Sequence, residues 1–345
     1  MDERPNYLCD PVKEIDPTSF GCYVSALKGE HIPLTFLIKP SFFKKAFKRV
    51  TGSWPPAYDI SYLEKFDVLL VVHQISDAHE MARLVKRLKK LYPHTIVIGV
   101  PTQPYGILRD YLDKNPQGVK SLKKFMNNCD LFLTVAQSTA EDQRLMTDTS
   151  VEYAPQPYPV EYAAQFWLPR ERKNKIIFVA GITDRDNIAK GQLVAAALQK
   201  KFPDFEIHVT SIEGIPLRTN NLAGARYSVI TFDPWRQHLQ YLAKVMLVVN
   251  TDYTQTRGRV QVDCAAVGTP SLGANSDGQE DLFPKLASEP ETPVEELVRL
   301  GEQLLTDAEF YNQTVHDAVR EMQKYSYEET AKRFQNIVDR IRSNT

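Results

Sequence analysis

Short apolar runs rich in β-branched residues recur along the chain, and between them lie longer segments in which apolar positions return every three or four residues. The first pattern belongs to strands buried on both faces and the second to helices laid across them, so their alternation predicts an α/β protein with parallel sheets. In the first half, strands are expected at 6–9, 33–38, 67–72, 95–100, 130–135 and 151–154, with helices near 19–28, 77–91, 122–128 and 139–146. The segment PQPYPVEYAAQFWLPRERKNK, residues 155–175, is rich in proline and charge and breaks the alternation; it reads as a linker with room for a helical turn. The pattern then resumes with strands at 175–179, 206–209, 228–232, 247–250 and 270–273 and helices near 191–201, 235–244 and 261–267. Helices over 293–305, 308–325 and 327–342 close the chain, and no repeat of fixed period is present.

A length of 345 residues suits two such α/β units, two Rossmann-like domains whose facing strand ends form a cleft. Charge changes this picture little. The 42 basic and 43 acidic residues leave a net charge of −1, so a nucleic acid or an anionic membrane would have to be met by a local patch. Cys9, Cys22, Cys129 and Cys264 form no CxxC pair, which argues against a disulfide scaffold or zinc cluster and for reduced thiols in a cytoplasm. His31, His79, His94, His208, His238 and His316 show no metal-binding spacing, so no metal site is expected. Neither a secretory leader nor an apolar run of membrane-spanning length is visible, giving the expectation of a soluble, cytoplasmic protein that can still touch a membrane surface.

Two stretches carry the chemistry. In FVAGITDRDNIAKGQLVAAAL, residues 178–198, a strand ends, Gly181 lets the backbone turn, a polar loop carries Arg185, and Lys190-Gly191 is expected to open a helix. A helix amino end with two cations beside it can hold a diphosphate; equally, both cations can be solvated loop charges. In NTDYTQTRGRVQVDCAAVGTPSLGANSDGQEDL, residues 250–282, a polar loop with Arg257, Gly258 and Arg259 leads to a helix carrying Asp263, followed by the turn Gly268-Thr269-Pro270. One acidic side chain there can hold a ribose diol, or serve as a buried cap or ion-pair partner.

Together these stretches resemble the donor half of retaining GT-B glycosyltransferases, notably glycosyltransferase family four. That family has a strand-end glycine loop before a Lys-Gly at a helix start, and an E-x7-E element before a Gly-Thr-Pro turn. AGITDRDNIAKG matches the first element. Counting back from Gly268-Thr269-Pro270, Asp263 takes the second glutamate position and Gln255 the first, so the acidic motif is altered. The resemblance implies a nucleoside-diphosphate sugar donor of the UDP type and no metal or other cofactor, with Gly181, Arg185, Lys190, Arg257 and Gly258 around the diphosphate, Asp263 on the ribose and Gln255 near the donor sugar. It also implies an acceptor domain over 1–157, a donor domain over 158–325 and a last helix, 326–345, crossing back to the first domain.

For the first half the resemblance implies a glycine loop, met by Gly21 at a helix start, and a histidine near a middle strand end. GVPTQPYG, residues 99–106, holds none, while His73 ends the neighbouring strand FDVLLVVHQ and is either a cleft-facing catalytic group or a structural histidine. KPSFFKKAFKRVTGSW, residues 39–54, interleaves basic and aromatic residues, Lys44 and Lys45 among them. It is either an amphipathic helix with solvated lysines or a contact for an anionic acceptor such as a lipid-linked sugar or nucleic acid. Lys86, Arg87, Lys89, Lys90, Lys120, Lys123 and Lys124 extend that basic character. The expected activity is sugar transfer to an unidentified acceptor; a non-catalytic nucleotide- or sugar-binding relative, a sugar-nucleotide epimerase and a nucleic-acid-modifying transferase are the alternatives.

Overall fold

Strands without a polar face need cover on both sides, and a parallel sheet between two helical layers supplies it. The protein, here a computed structural model, is described over residues 21–32, 60–73, 77–101, 106, 108, 113–181, 186–211, 219–231, 235–253, 259–276 and 278–343. The first sheet runs β1 (Val68–His73), β2 (Ile96–Pro101), β3 (Leu131–Thr134) and β4 (Val151–Tyr153), adjacent in that order and parallel throughout. Among the described residues, four helices precede or interleave with these strands: α1 (Gly21–Leu27), α2 (Ala78–Leu91), α3 (Pro116–Met126) and α4 (Ala140–Met146). Leu84, Leu88, Leu122 and Phe125 of α2 and α3 close over Val97 and Phe132 on one face. Proline at the first position of α3, with the Asn115 side chain accepting from the Gly118 N–H at 2.9 Å, sets where that helix begins. The expected strands at 6–9 and 33–38 lie outside the described residues.

A short helix, α5 (Val160–Ala164), occupies the proline-rich segment, and the second sheet follows. Its strands are β5 (Asn174–Ala180), β6 (Glu206–Ser211), β7 (Tyr227–Thr231), β8 (Val245–Asn250), β9 (Ser271–Ala274) and β10 (Ala287–Ser288). They lie side by side as β10-β9-β8-β5-β6-β7, again all parallel, which is the strand order of a dinucleotide-binding sheet. Every residue of β8 is buried, whereas β7 at the edge alternates exposed and half-buried positions. The covering helices are α6 (Asp186–Lys201), α7 (Trp235–Lys244), α8 (Arg259–Ala266), the short α9 (Gln279–Leu282), α10 (Val294–Thr306) and α11 (Ala308–Glu321).

The final helix, α12 (Tyr327–Ser343), leaves the second sheet and completes the core of the first. Its Phe334, Ile337 and Val338 join Tyr23 of α1 against Ile96, Ile98, Leu131 and Leu133. An ion pair between Arg340 and Glu152 and a contact from the Tyr327 hydroxyl to Cys22 Sγ at 3.6 Å flank that packing.

Several elements differ from the sequence pattern, among them the helix expected near 122–128, which spans Pro116–Met126. The helix expected over 191–201 begins five residues earlier, at Asp186, because Ile188 is buried and joins the core. The helix expected over 308–325 ends at Glu321 and passes into a tight turn, Met322–Tyr325. Between β9 and α10, where nothing is expected, α9 and β10 form.

Candidate functional site

In an open parallel sheet the loops diverge where the strand order reverses, leaving a crevice at the carboxyl ends. Here the reversal falls between β5 and β8, whose last residues, Ala180 and Asn250, are paired. Gly181 follows β5 with φ of +122°, a conformation that side-chain-bearing residues rarely adopt, and its carbonyl accepts from Thr210 Oγ1 at 2.7 Å. Just past the end of β8, Thr251 Oγ1 accepts from the Gly191 N–H at 3.0 Å. A Cβ on Gly191 would stand 2.9 Å from that oxygen and 3.2 Å from Val179 Cγ1, so glycine lets α6 lie directly against the strand ends.

Lys190, expected at the opening of this helix, sits instead in its second turn, and the N–H groups of the first turn belong to residues from Asp186 onward. Its ammonium donates to the carbonyls of Glu289 and Pro290 at 3.3 and 3.0 Å and stands 5.1 Å from the centre of the Tyr253 ring. The Tyr253 hydroxyl in turn lies 2.9 Å from Ser288 Oγ. The structure therefore places Gly181, the amino end of α6 and Lys190 at the same end of the second sheet, with Tyr253, which stands in the first polar loop after β8. Arg185, Gln255, Arg257 and Gly258 lie outside the described residues.

Asp263 is in α8 and only 1% exposed. Its Oδ1 accepts from the Tyr158 hydroxyl at 2.6 Å and from Trp235 Nε1 at 3.0 Å, while Arg259 Nε stands 3.7 Å from Oδ2. Burial, and then the negative charge of Asp263, push the Tyr158 phenol well above its ordinary range, so it stays a donor. A second, half-buried cluster escapes sequence reasoning. Asp281 in α9 accepts from the Tyr153 and Tyr325 hydroxyls at 2.9 and 3.0 Å and pairs with Lys324 at 2.7 Å, joining the end of the first sheet to the second half.

In the first half, Gly21 is the buried first residue of α1. His73 is the last residue of β1, in register with Pro101, and its side chain is outside the described residues, as are Lys44 and Lys45. Of the basic residues on α2 and α3, Lys89 is committed to Asp130, 2.8 Å from both carboxylate oxygens, whereas Lys86, Arg87, Lys90, Lys120, Lys123 and Lys124 are exposed. Among the described residues no group of three His, Cys, Asp or Glu side chains is placed to hold a metal ion, and no helix is long and apolar enough to cross a membrane.

No protein-family model matches the sequence, and no curated protein matches it. Solved structures do. The chain is similar to sucrose-phosphate synthase from Thermosynechococcus elongatus, with a TM-score of 0.59 and 16% identity over 92% of this chain and 82% of that one. It is similar to α,α-trehalose 6-phosphate synthase from Burkholderia multivorans, with a TM-score of 0.61 and 10% identity over 83% and 73% of the two chains. A trehalose-6-phosphate synthase studied for glycosyltransfer with retention gives a TM-score of 0.60 at 11% identity, over 82% and 76%. At such identities the likeness is one of fold, and the fold is GT-B: two parallel α/β sheets with their helical layers, the last helix returning to the first.

Proposed function

We propose that the protein is a glycosyltransferase that moves a sugar from a nucleoside-diphosphate sugar, of the UDP type, to an acceptor held mainly by the first half. The observation that carries the reading is the crevice at the β5–β8 reversal, furnished with the Gly181 turn, the amino end of α6 and the Lys190 ammonium. Negative charge gathers on the diphosphate as the glycosidic bond breaks, and helix N–H groups and a cation fixed beside it stabilise that charge without rearranging. Lys190 would exchange its two carbonyl partners for phosphate oxygens, a charge-assisted and stronger contact. Arg185 would add a second cation, and with two of them no metal is required. Retention of the anomeric configuration follows from the resemblance to family four, and glycosyltransfer with retention is also the reaction of the similar trehalose-6-phosphate synthase. The acceptor is a glycan, a lipid-linked sugar or a nucleic acid, the last two favoured by the exposed cations of α2 and α3, and the protein is cytoplasmic with peripheral membrane contact.

The second reading, a nucleotide-binding relative without turnover, is favoured by Gln255, which stands where the family has an acid. Thermal denaturation with UDP, GDP, ADP and their sugar conjugates separates the possibilities, because a ligand bound only by the folded state raises the melting temperature. Stabilisation by one base series, lost in Lys190→Ala, is expected. Slow hydrolysis of the matching sugar nucleotide without acceptor then marks the transferase, and binding with no hydrolysis and no transfer to any acceptor marks the second reading. An intact protein that no nucleotide stabilises would overturn both.

A further inference from the structure

Asp263 occupies the position that the family resemblance gives to the ribose acid, but its surroundings describe another task. Both acceptor sites of Oδ1 are filled, by the Tyr158 hydroxyl and the Trp235 indole N–H, and the residue is 1% exposed. Aspartate is also one methylene shorter than glutamate, which holds the carboxylate back toward its own helix. Tyr158 and Trp235 are themselves buried at 6% and 5% exposure, meet edge to face at 6.0 Å, and have the Tyr162 ring stacked on the indole at 5.6 Å. The Tyr158 N–H donates to the Tyr325 carbonyl at 2.8 Å. Tyr158 lies where the chain first passes between the halves, after β4, and Tyr325 where it passes back, before α12.

We propose that Asp263 is a positioning residue that fastens both chain crossings to α8 through Tyr158 and Trp235, and that it does not read the ribose of the donor. The inference rests on the nucleotide site proposed above for its second half only. Removing the carboxylate leaves a phenol and an indole N–H buried without acceptors, whereas an asparagine in its place keeps an acceptor oxygen for both and removes only the charge. A ribose acid and a fastener therefore respond in opposite ways to the same pair of substitutions.

The test uses the full chain. Asp263→Ala and Tyr158→Phe are each expected to lower the melting temperature, by roughly 3–8 °C, with the double variant falling little further than Asp263→Ala alone, while Asp263→Asn stays within about 3 °C of the wild type. Additive losses, or an asparagine variant as unstable as the alanine one, overturn the fastener. The ratio of affinities for UDP, GDP or ADP over the matching 2′-deoxynucleotide, whichever base binds, is expected to be the same in Asp263→Asn as in the wild type. A ribose preference that Asp263→Asn reduces by about fivefold or more, roughly 1 kcal/mol, overturns the second half. Should no nucleotide bind the wild type, the donor-site reading fails, and the melting series still decides the fastener.

Discussion

Two lysines at opposite ends of the second sheet both donate to backbone carbonyls, and their surroundings give them different work. Lys190 stands at the carboxyl ends of the strands, partly exposed, held by Glu289 and Pro290 over the Tyr253 ring. Lys173 precedes β5 at the amino ends and is 8% exposed. Its nitrogen donates to the Ala243 carbonyl at 2.7 Å, to Thr269 Oγ1 at 2.8 Å and more weakly to the Val267 carbonyl at 3.4 Å. Ala243 lies near the end of α7, and Val267 follows α8, so two helix carboxyl ends converge on one amine. Burial nonetheless lowers the Lys173 pKa to about 7. A neutral amine still has two N–H groups for the two short contacts. The same side chain is thus a buried fastener at one end of the sheet and an available cation at the other, and solvent access makes the difference.

The largest effect is expected from Lys173→Ala, which takes the donor from the Ala243 carbonyl and from Thr269 Oγ1 and opens a cavity where α7, α8 and β9 meet. A loss of about 2–4 kcal/mol should appear as a lower urea midpoint. A loss comparable to that of an exposed lysine would mean that the carbonyls at this end of the sheet are satisfied without it.

The pH dependence sharpens the contrast. From about pH 7 up to the ordinary lysine value of 10.5, the unfolded chain carries a proton on Lys173 that the folded chain lacks, so stability rises with pH across that window and is flat below it. Deprotonation of the unfolded cysteines and tyrosines opposes this at the alkaline end, because Cys129, Cys264, Tyr158, Tyr311 and Tyr325 are buried with their acidities suppressed. The difference between the wild type and Lys173→Met isolates the lysine. It should grow by at most about 1.4 kcal/mol per pH unit above pH 7. A difference independent of pH would show Lys173 to be charged when folded.

At the other end, Gly191→Ala forces α6 away from Thr251 and Val179 and is expected to cost about 1–3 kcal/mol. Because it moves the amino end of α6, it should also reduce nucleotide-induced stabilisation. An alanine variant with wild-type stability and ligand response would mean that the close approach is unnecessary.

These positions differ in how much of them the sequence pattern reveals. The strands are legible to within a few residues because an unbroken apolar run such as Val245–Val249 has few places to go but the middle of a sheet. The Gly181 turn is legible because a strand-end glycine before a helix has a local physical meaning. The start of α6 is not, since Ile188 is drawn in by core residues far away in sequence, and α9 with β10 leaves no periodic trace in a span of two short elements. Nor is the fastening of Asp263 and Asp281: Tyr158 lies 105 residues from the first, Tyr153 and Tyr325 lie 128 and 44 from the second, and a lone aspartate in sequence looks the same whether it faces a ligand or a phenol. Lys173 illustrates the same limit, standing inside a run of charges, RERKNK, that reads as a solvated linker.

The smallest effect on the unliganded fold should come from Lys190→Ala. Its hydrogen bonds are exposed, and water replaces an ammonium at the Glu289 and Pro290 carbonyls at little cost. The ring contact with Tyr253 adds about 0.5–1 kcal/mol at such a site, part of which water recovers. A loss under about 1 kcal/mol is therefore expected in urea titration, beside the much larger loss at Lys173. With nucleotide present the order should reverse: Lys173→Met, if folded, keeps its ligand-induced stabilisation, while Lys190→Ala loses it. Equal losses of stability at the two lysines without ligand would end the contrast between them, because Lys190 would then also be a fastener, held by the 289–290 carbonyls for the sake of the fold.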